Sequence, residues 1–160
     1  MLVLDDHEFK TSTALYNKDK SILKRLVVPN RDAKEVEEMK KHPIFGKCVI
    51  HELLEETLGK LIVSKEQVSC IYADLCGHSF KELELIAKCN LTRNAIVGYT
   101  ICARSSDKAE FTNSFAPELI ERFYKLFNGK SPVNLVENNG KVFVYGKDMR
   151  MATIIFKVNT

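Results

Sequence analysis

The 160-residue chain has no Gly-rich phosphate loop, no Gly-x-Ser-x-Gly elbow, no His-Glu-x-x-His pair and no zinc ribbon. The short signatures of P-loop enzymes, serine hydrolases and zinc proteases are therefore missing. Seven glycines and four prolines are too few for a long disordered tail. No apolar run approaches the ~20 residues that a membrane span needs. The opening residues, MLVLDDHEFK, lack a basic segment and a long apolar stretch, which argues against a signal peptide. Tryptophan is absent, which decides nothing.

Charge of one sign is also scarce. The net charge is +3, and all of it comes from residues 65–160. Residues 1–64 carry eleven basic and eleven acidic side chains, whereas residues 65–160 carry thirteen and ten. A dedicated duplex binder usually shows a denser basic stripe. Five cysteines form an odd set without regular disulfide spacing. Cys70, Cys89 and Cys102 sit among apolar neighbours, where cysteine acts as a small core residue. This usage points to a reducing, cytoplasmic setting.

What remains is ordinary globular material, 45% hydrophobic and 28% charged. Such a length suits one domain over residues 1–160 and buries roughly 70% of the unfolded surface. Leu2 to Leu4 reads as a short strand. Residues 13–27 fit a helix only loosely, and Pro29-Asn30 reads as a turn. Asp32 to Glu35 matches a capping box that opens a polar helix to about Lys41, anchored by Val36 and Met39. The spacing predicts a helix over residues 44–58, with Val49, Ile50, Leu53, Leu54 and Thr57 on one face and Gly59 at its end. Leu61 to Val63 suggests the start of a strand.

The centre is the most legible part. Gln67 to Leu75 reads as a strand and Ser79 to Glu82 as a second capping box. Phe80, Leu83, Ile86 and Ala87 form the apolar stripe of the helix that follows. Asn94 to Arg104 reads as a central strand, apolar on both faces. A helix follows around Pro117, with Phe123 and Phe127 in its buried stripe. Val133 to Val136 and Val142 to Tyr145 flank Asn139-Gly140, a hairpin signal, and Met151 to Val158 reads as a last strand. This succession predicts an α+β fold, a mostly antiparallel sheet packed against several helices with a C-terminal β-meander.

Three constellations carry candidate chemistry. Asp74, Cys76, His78 and Ser79 gather at a predicted helix N-terminus, where a thiol beside an imidazole gains thiolate character. Asp74 would orient the imidazole, and Ser79 would cap the helix or meet an anionic ligand. Cys48, His51 and Glu55 stack at i, i+3 and i+7 on the predicted 44–58 helix, in zinc-ligand chemistry without a second half-site. Phe143 and Tyr145 alternate between Lys141 and Lys147, a pattern able to stack bases. Tyr99 joins these two as an aromatic contact residue. The pairs Asp5-Asp6, Glu37-Glu38 and Glu55-Glu56 read as solvated charges.

The segment ELIAKCNLTRNAIVGYTI, and Asn94-Ala-Ile-Val-Gly-Tyr within it, resembles the helix-then-strand core of small YbjQ-type domains. The rest of the chain departs from that pattern, and no function follows from it. The expectation is a non-enzymatic domain that binds a partner protein or small ligand, without cofactor and without a nucleic-acid or membrane partner. A cysteine enzyme using Cys76 and His78 is the first alternative. A single-strand nucleic-acid binder using the C-terminal sheet is the second. The oligomeric state is open.

Overall fold

The computed structural model describes residues 1–75, 80–103, 116–127, 133–135, 143–145 and 150–158. Among the described residues the helices are α1 (Lys10–Lys18), α2 (Ala33–Met39), α3 (Leu54–Ser64), α4 (Lys81–Lys88) and α5 (Ala116–Phe127). The described strands are β1 (Leu2–Val3), β2 (Val28–Asn30), β3 (Val49–His51), β4 (Val68–Asp74), β5 (Leu91–Ala103), β6 (Val133–Leu135), β7 (Phe143–Tyr145) and β8 (Arg150–Val158).

β1, β4 and β5 are hydrogen-bonded side by side and parallel. β2 and β3 form a second parallel pair. A parallel bridge between Leu2 and Val27 joins the two sets. There Val3 N–H donates to the Val27 carbonyl at 3.0 Å, and Val27 N–H to the Met1 carbonyl at 2.9 Å. The resulting order is β3-β2-β1-β4-β5-β8-β6, with β7 also on β8. Among the described strands β8 alone runs against the rest. This is a doubly wound α/β sheet, Rossmann-like in form.

The predicted antiparallel α+β class is therefore corrected. Two elements account for the error. Pro29-Asn30, read as a turn, lies within β2. The predicted helix over residues 44–58 is a 3-10 turn (Gly46–Cys48), then β3, and only then α3. The β-branched pair Val49-Ile50 suits an extended backbone, and a short apolar run fits either period. Helix starts at Leu54, where the Glu56 carboxylate accepts the Leu53 N–H at 3.2 Å. Gly59 thus sits inside α3, and Leu61 to Val63 belong to that helix rather than to a strand. The predicted C-terminal hairpin is absent as well. β6 and β7 both pair with β8, at opposite ends of it, and not with each other.

The crossovers between parallel strands lay helices on both faces of the sheet. From β1 the chain moves outward through α1 and α2, whose apolar residues join one cluster that includes Val3, Phe9, Val28, Val36, Met39 and Phe45. It then returns past β1 through α3 and continues through α4 and α5. These cover the other face with Leu58, Ile71, Leu83, Ile86, Val97, Phe123, Phe127 and Phe156. Leu2 and Val3 alternate between the two clusters, as successive strand residues must. Phe123, Phe127 and Phe156 pack edge-on or stacked, with Phe123 and Phe156 centroids 3.8 Å apart. The Arg122 guanidinium lies 4.2 Å from the Phe80 ring centroid and ties α5 to α4. Among the described residues no helix is long and apolar enough to cross a membrane.

Candidate functional site

Strand order reverses at β1: the chain first adds β2 on one side and later β4 on the other. In doubly wound sheets the crevice outside the carboxyl ends at that switch point is where ligands bind. A cleft of about 630 Å³ lies there. That volume suits a small organic ligand. β1 contributes Leu4, Asp5 and Asp6, β2 contributes Pro29, Asn30 and Arg31, and the β3–α3 junction contributes Glu52 to Glu55. β4 adds Asp74 and Leu75, α1 adds Lys10 and Thr11, and α4 adds Glu82.

The turn from β1 into α1 is built without glycine. The Asp6 carboxylate accepts the Glu8 N–H at 2.9 Å and bends the chain. Phe9 then takes a left-handed backbone conformation, with φ 49° and ψ 38°. That conformation costs a non-glycine residue roughly 1–2 kcal/mol. Complete burial of the Phe9 ring, 4.9 Å from His42 and 5.2 Å from Phe45 between ring centroids, offsets the cost. Outside the cleft, the Glu35 carboxylate accepts from His7 N–H at 3.0 Å and bonds His7 Nδ1 at 2.9 Å, which latches the turn to α2.

The head of α1 is already occupied. The Asp5 carboxylate accepts the Ser12 N–H at 2.6 Å and the Thr11 N–H at 3.3 Å. A helix N-terminus attracts anions through its free amides. Here the protein's own carboxylate takes that place.

The cleft is strongly acidic. Six carboxylates (Asp5, Asp6, Glu52, Glu55, Asp74, Glu82) face two cations (Lys10, Arg31), a net of four negative charges. Lys10 is drawn to Glu8, outside the lining. Glu52 is held by Lys60 and by the Thr57 hydroxyl at 3.1 Å, and Lys60 keeps its carboxyl below the usual range. Asp74 is the opposite case. Its surface is open, yet protein atoms crowd it, and that desolvation, then the charges of Asp5 and Asp6, push its carboxyl above the usual range. Glu82, in the first turn of α4, is 8% exposed, and its Oε2 has no hydrogen-bond partner.

Of the predicted site residues, Asp74 is in the cleft. Cys76, His78 and Ser79 lie outside the described residues. Tyr99 is fully buried in the core, so it is not an exposed contact residue. Burial, and the Glu82 charge after it, push its hydroxyl well above the usual phenol range. Phe143 and Tyr145 fall in β7, and their side chains lie outside the described residues. Cys48, His51 and Glu55 do not share a helix face. Cys48 is buried with its Sγ 3.9 Å from the Leu23 carbonyl, His51 reaches the Arg31 carbonyl at 3.2 Å, and Glu55 is in the cleft. Among the described residues no group of three His, Cys, Asp or Glu is arranged to hold a metal ion.

Sequence reasoning missed Asp5, Asp6, Glu52 and Glu82 as site residues and offered Glu55 only as a metal ligand. A signal was present for four of the cleft's acids. LVL-Asp5-Asp6, VIH-Glu52 and IYA-Asp74 each place a carboxylate after a short run rich in apolar or β-branched residues, at a strand's carboxyl end.

No family model matches this chain, and no curated protein does. Solved structures share its fold. Fibrillarin, a pre-rRNA processing protein of Methanococcus jannaschii, superposes with a TM-score of 0.56 at 16% identity over 99% of this chain and 66% of its own. A Haemophilus influenzae protein described as a methylase gives 0.55 at 16% identity, over 99% of this chain and 80% of its own. Trm5b of Pyrococcus abyssi gives 0.54 at 14% identity over 89% of this chain. The chain spans only 41% of that protein's length. The expectation of a non-enzymatic binding domain, drawn from the absence of a catalytic signature, is corrected by these neighbours. The Cys76–His78 and C-terminal-sheet alternatives rest on side chains outside the described residues. In architecture, the chain shares the doubly wound, Rossmann-like α/β fold of these proteins.

Proposed function

We propose that this chain is a methyltransferase domain that holds S-adenosylmethionine in the acidic cleft at the β1–β4 switch point. One observation carries the reading: the net charge of the cleft, four negative, at the position where this fold binds its ligands. S-adenosylmethionine bears a sulfonium and an ammonium group, so an acidic cleft suits it. One feature departs from the usual dinucleotide-binding turn: no glycine stands between β1 and α1, and Asp5 fills the head of α1. A ligand carboxylate therefore has no seat on those amides, while the cationic groups do have partners.

When bound, the cofactor supplies an electrophilic methyl group. The chain's own residues then have separable roles. Asp5 and Asp6 set the negative wall on the β1 side. Asn30 is less available for a ribose, because its Oδ1 accepts the Asp32 N–H at 2.8 Å. Glu52 and Glu55 line the opposite wall. Asp74, with its carboxyl pushed above the usual range, is suited to accept a proton from the methyl acceptor. An RNA acceptor is supported by the pre-rRNA processing role in the name of the fibrillarin neighbour.

Calorimetric titration with S-adenosylmethionine tests the reading. The expected dissociation constant is below about 100 μM, corresponding to roughly −5.5 kcal/mol. Absence of heat up to about 1 mM ligand refutes it.

A further inference from the structure

We propose that Glu82 reads the charge of the ligand, so that the cleft selects an organic cation over a neutral molecule of the same shape. The inference builds on the S-adenosylmethionine reading above and deepens it. Its first support is the orphaned oxygen. Glu82 Oε2 is buried without a hydrogen-bond partner on a side chain that lines the cleft. A desolvated carboxylate oxygen without a donor is costly, and a donor or positive charge supplied by a ligand removes that cost.

A second support comes from the surroundings. Glu82 sits in the first turn of α4, where the helix dipole favours negative charge. Asp5, Asp6 and Asp74 face the same cleft, and Asp5 blocks the head of α1 against anions. The net negative lining, with Lys10 and Arg31 outnumbered by six carboxylates, disfavours a phosphate-bearing nucleotide. Glu82 is absent from the sheet ends that define the cleft in this fold. It comes from the helix beyond β4, and so adds a specificity contact that the strand ends alone do not provide.

The test uses two probes of nearly one shape, S-adenosylmethionine with its sulfonium and S-adenosylhomocysteine with a neutral sulfur. Both are titrated into the parent chain and into Glu82→Gln. The expected result is a preference of about tenfold or more for the cation in the parent, the scale of one hydrogen bond to a charged group. In Glu82→Gln that preference collapses while affinity for the neutral probe is kept. Circular dichroism confirms that the isosteric variant folds. Equal affinities in the parent, or an undiminished preference in Glu82→Gln, overturn the role of Glu82 and leave the methyltransferase reading standing. Failure of both probes to bind the folded parent overturns both.

Discussion

Removing the Asp5 carboxylate tests how the cleft is built. Asp5 accepts from the Ser12 N–H at 2.6 Å and the Thr11 N–H at 3.3 Å, and Asp5→Ala strips both amides of that partner. Loss of a capping side chain costs about 0.5–2 kcal/mol. The short Ser12 bond has a charged acceptor, which moves the expectation to the upper half, about 1–2 kcal/mol. An opposing effect exists, because the Asp5 charge also disfavours the ionised form of Asp74. Charges on an open rim interact by only about 0.2–1 kcal/mol, so the cap wins. The net loss of roughly 1 kcal/mol lowers the melting temperature by about 2–4 °C for a domain of this size. Asp5→Asn separates the two effects, since its amide oxygen still accepts one N–H while the charge is gone. It is expected to fall between parent and Asp5→Ala. Thermal unfolding followed by circular dichroism measures all three. Phosphate supplies a further readout. The uncapped α1 of Asp5→Ala becomes an anion site, so phosphate raises its melting temperature by linkage and leaves the parent unchanged. An Asp5→Ala melting temperature equal to the parent's, without a phosphate response, refutes the reasoning.

Two further outcomes are expected. His7 is raised above its ordinary value by the hydrogen bond to Glu35 and by that residue's charge. The stability it contributes is therefore full below about pH 6.5 and is lost as the pH climbs through the raised value. Melting curves of parent and Glu35→Gln should differ more at about pH 5.5 than at about pH 8.5, and a gap independent of pH counts against the latch. Gly98 supports the ring of Tyr72 on the neighbouring strand: a Cβ at this position would lie 2.4 Å from Tyr72 Cδ2 and 2.9 Å from Cε2. Gly98→Ala should cost about 1–3 kcal/mol in chemical denaturation. Combining it with Tyr72→Ala should recover part of that loss, and strict additivity of the pair would show that the ring is not what the Cβ meets.

The centre of the fold was legible because its elements are long. β4, α4 and β5 are seven, eight and thirteen residues, enough for the strand and helix periods to separate. β2 and β3 are three residues each, and one of them contains Pro29. Three residues carry no period, and Val49-Ile50 followed by Leu53-Leu54 satisfies a helical wheel by accident. Those two strands decide the fold class, since without them the sheet shows mainly its antiparallel half. The site was hidden for the same reason. Asp5, Asp6, Glu52 and Glu55 follow the short strands β1 and β3, so they read as loop charges. Asp74 stood out because it ends a strand of readable length. Glu82 gave no signal, since an acid in the first turn of a helix is what the helix dipole asks for anyway.

The pairing of β6 and β7 end to end along β8 has a consequence for how copies of this protein meet. A long strand at a sheet margin offers a template on which another chain can grow, by swapping or by fibril formation. Here the described strands beside β8, namely β6 and β7, are three residues each. Among the described strands the opposite margin, β3, is also three residues. Lys157 stands in register with Asn134 on β6, a polar pairing at this margin. Among the described residues both margins thus present ladders of three residues, short templates for a foreign strand.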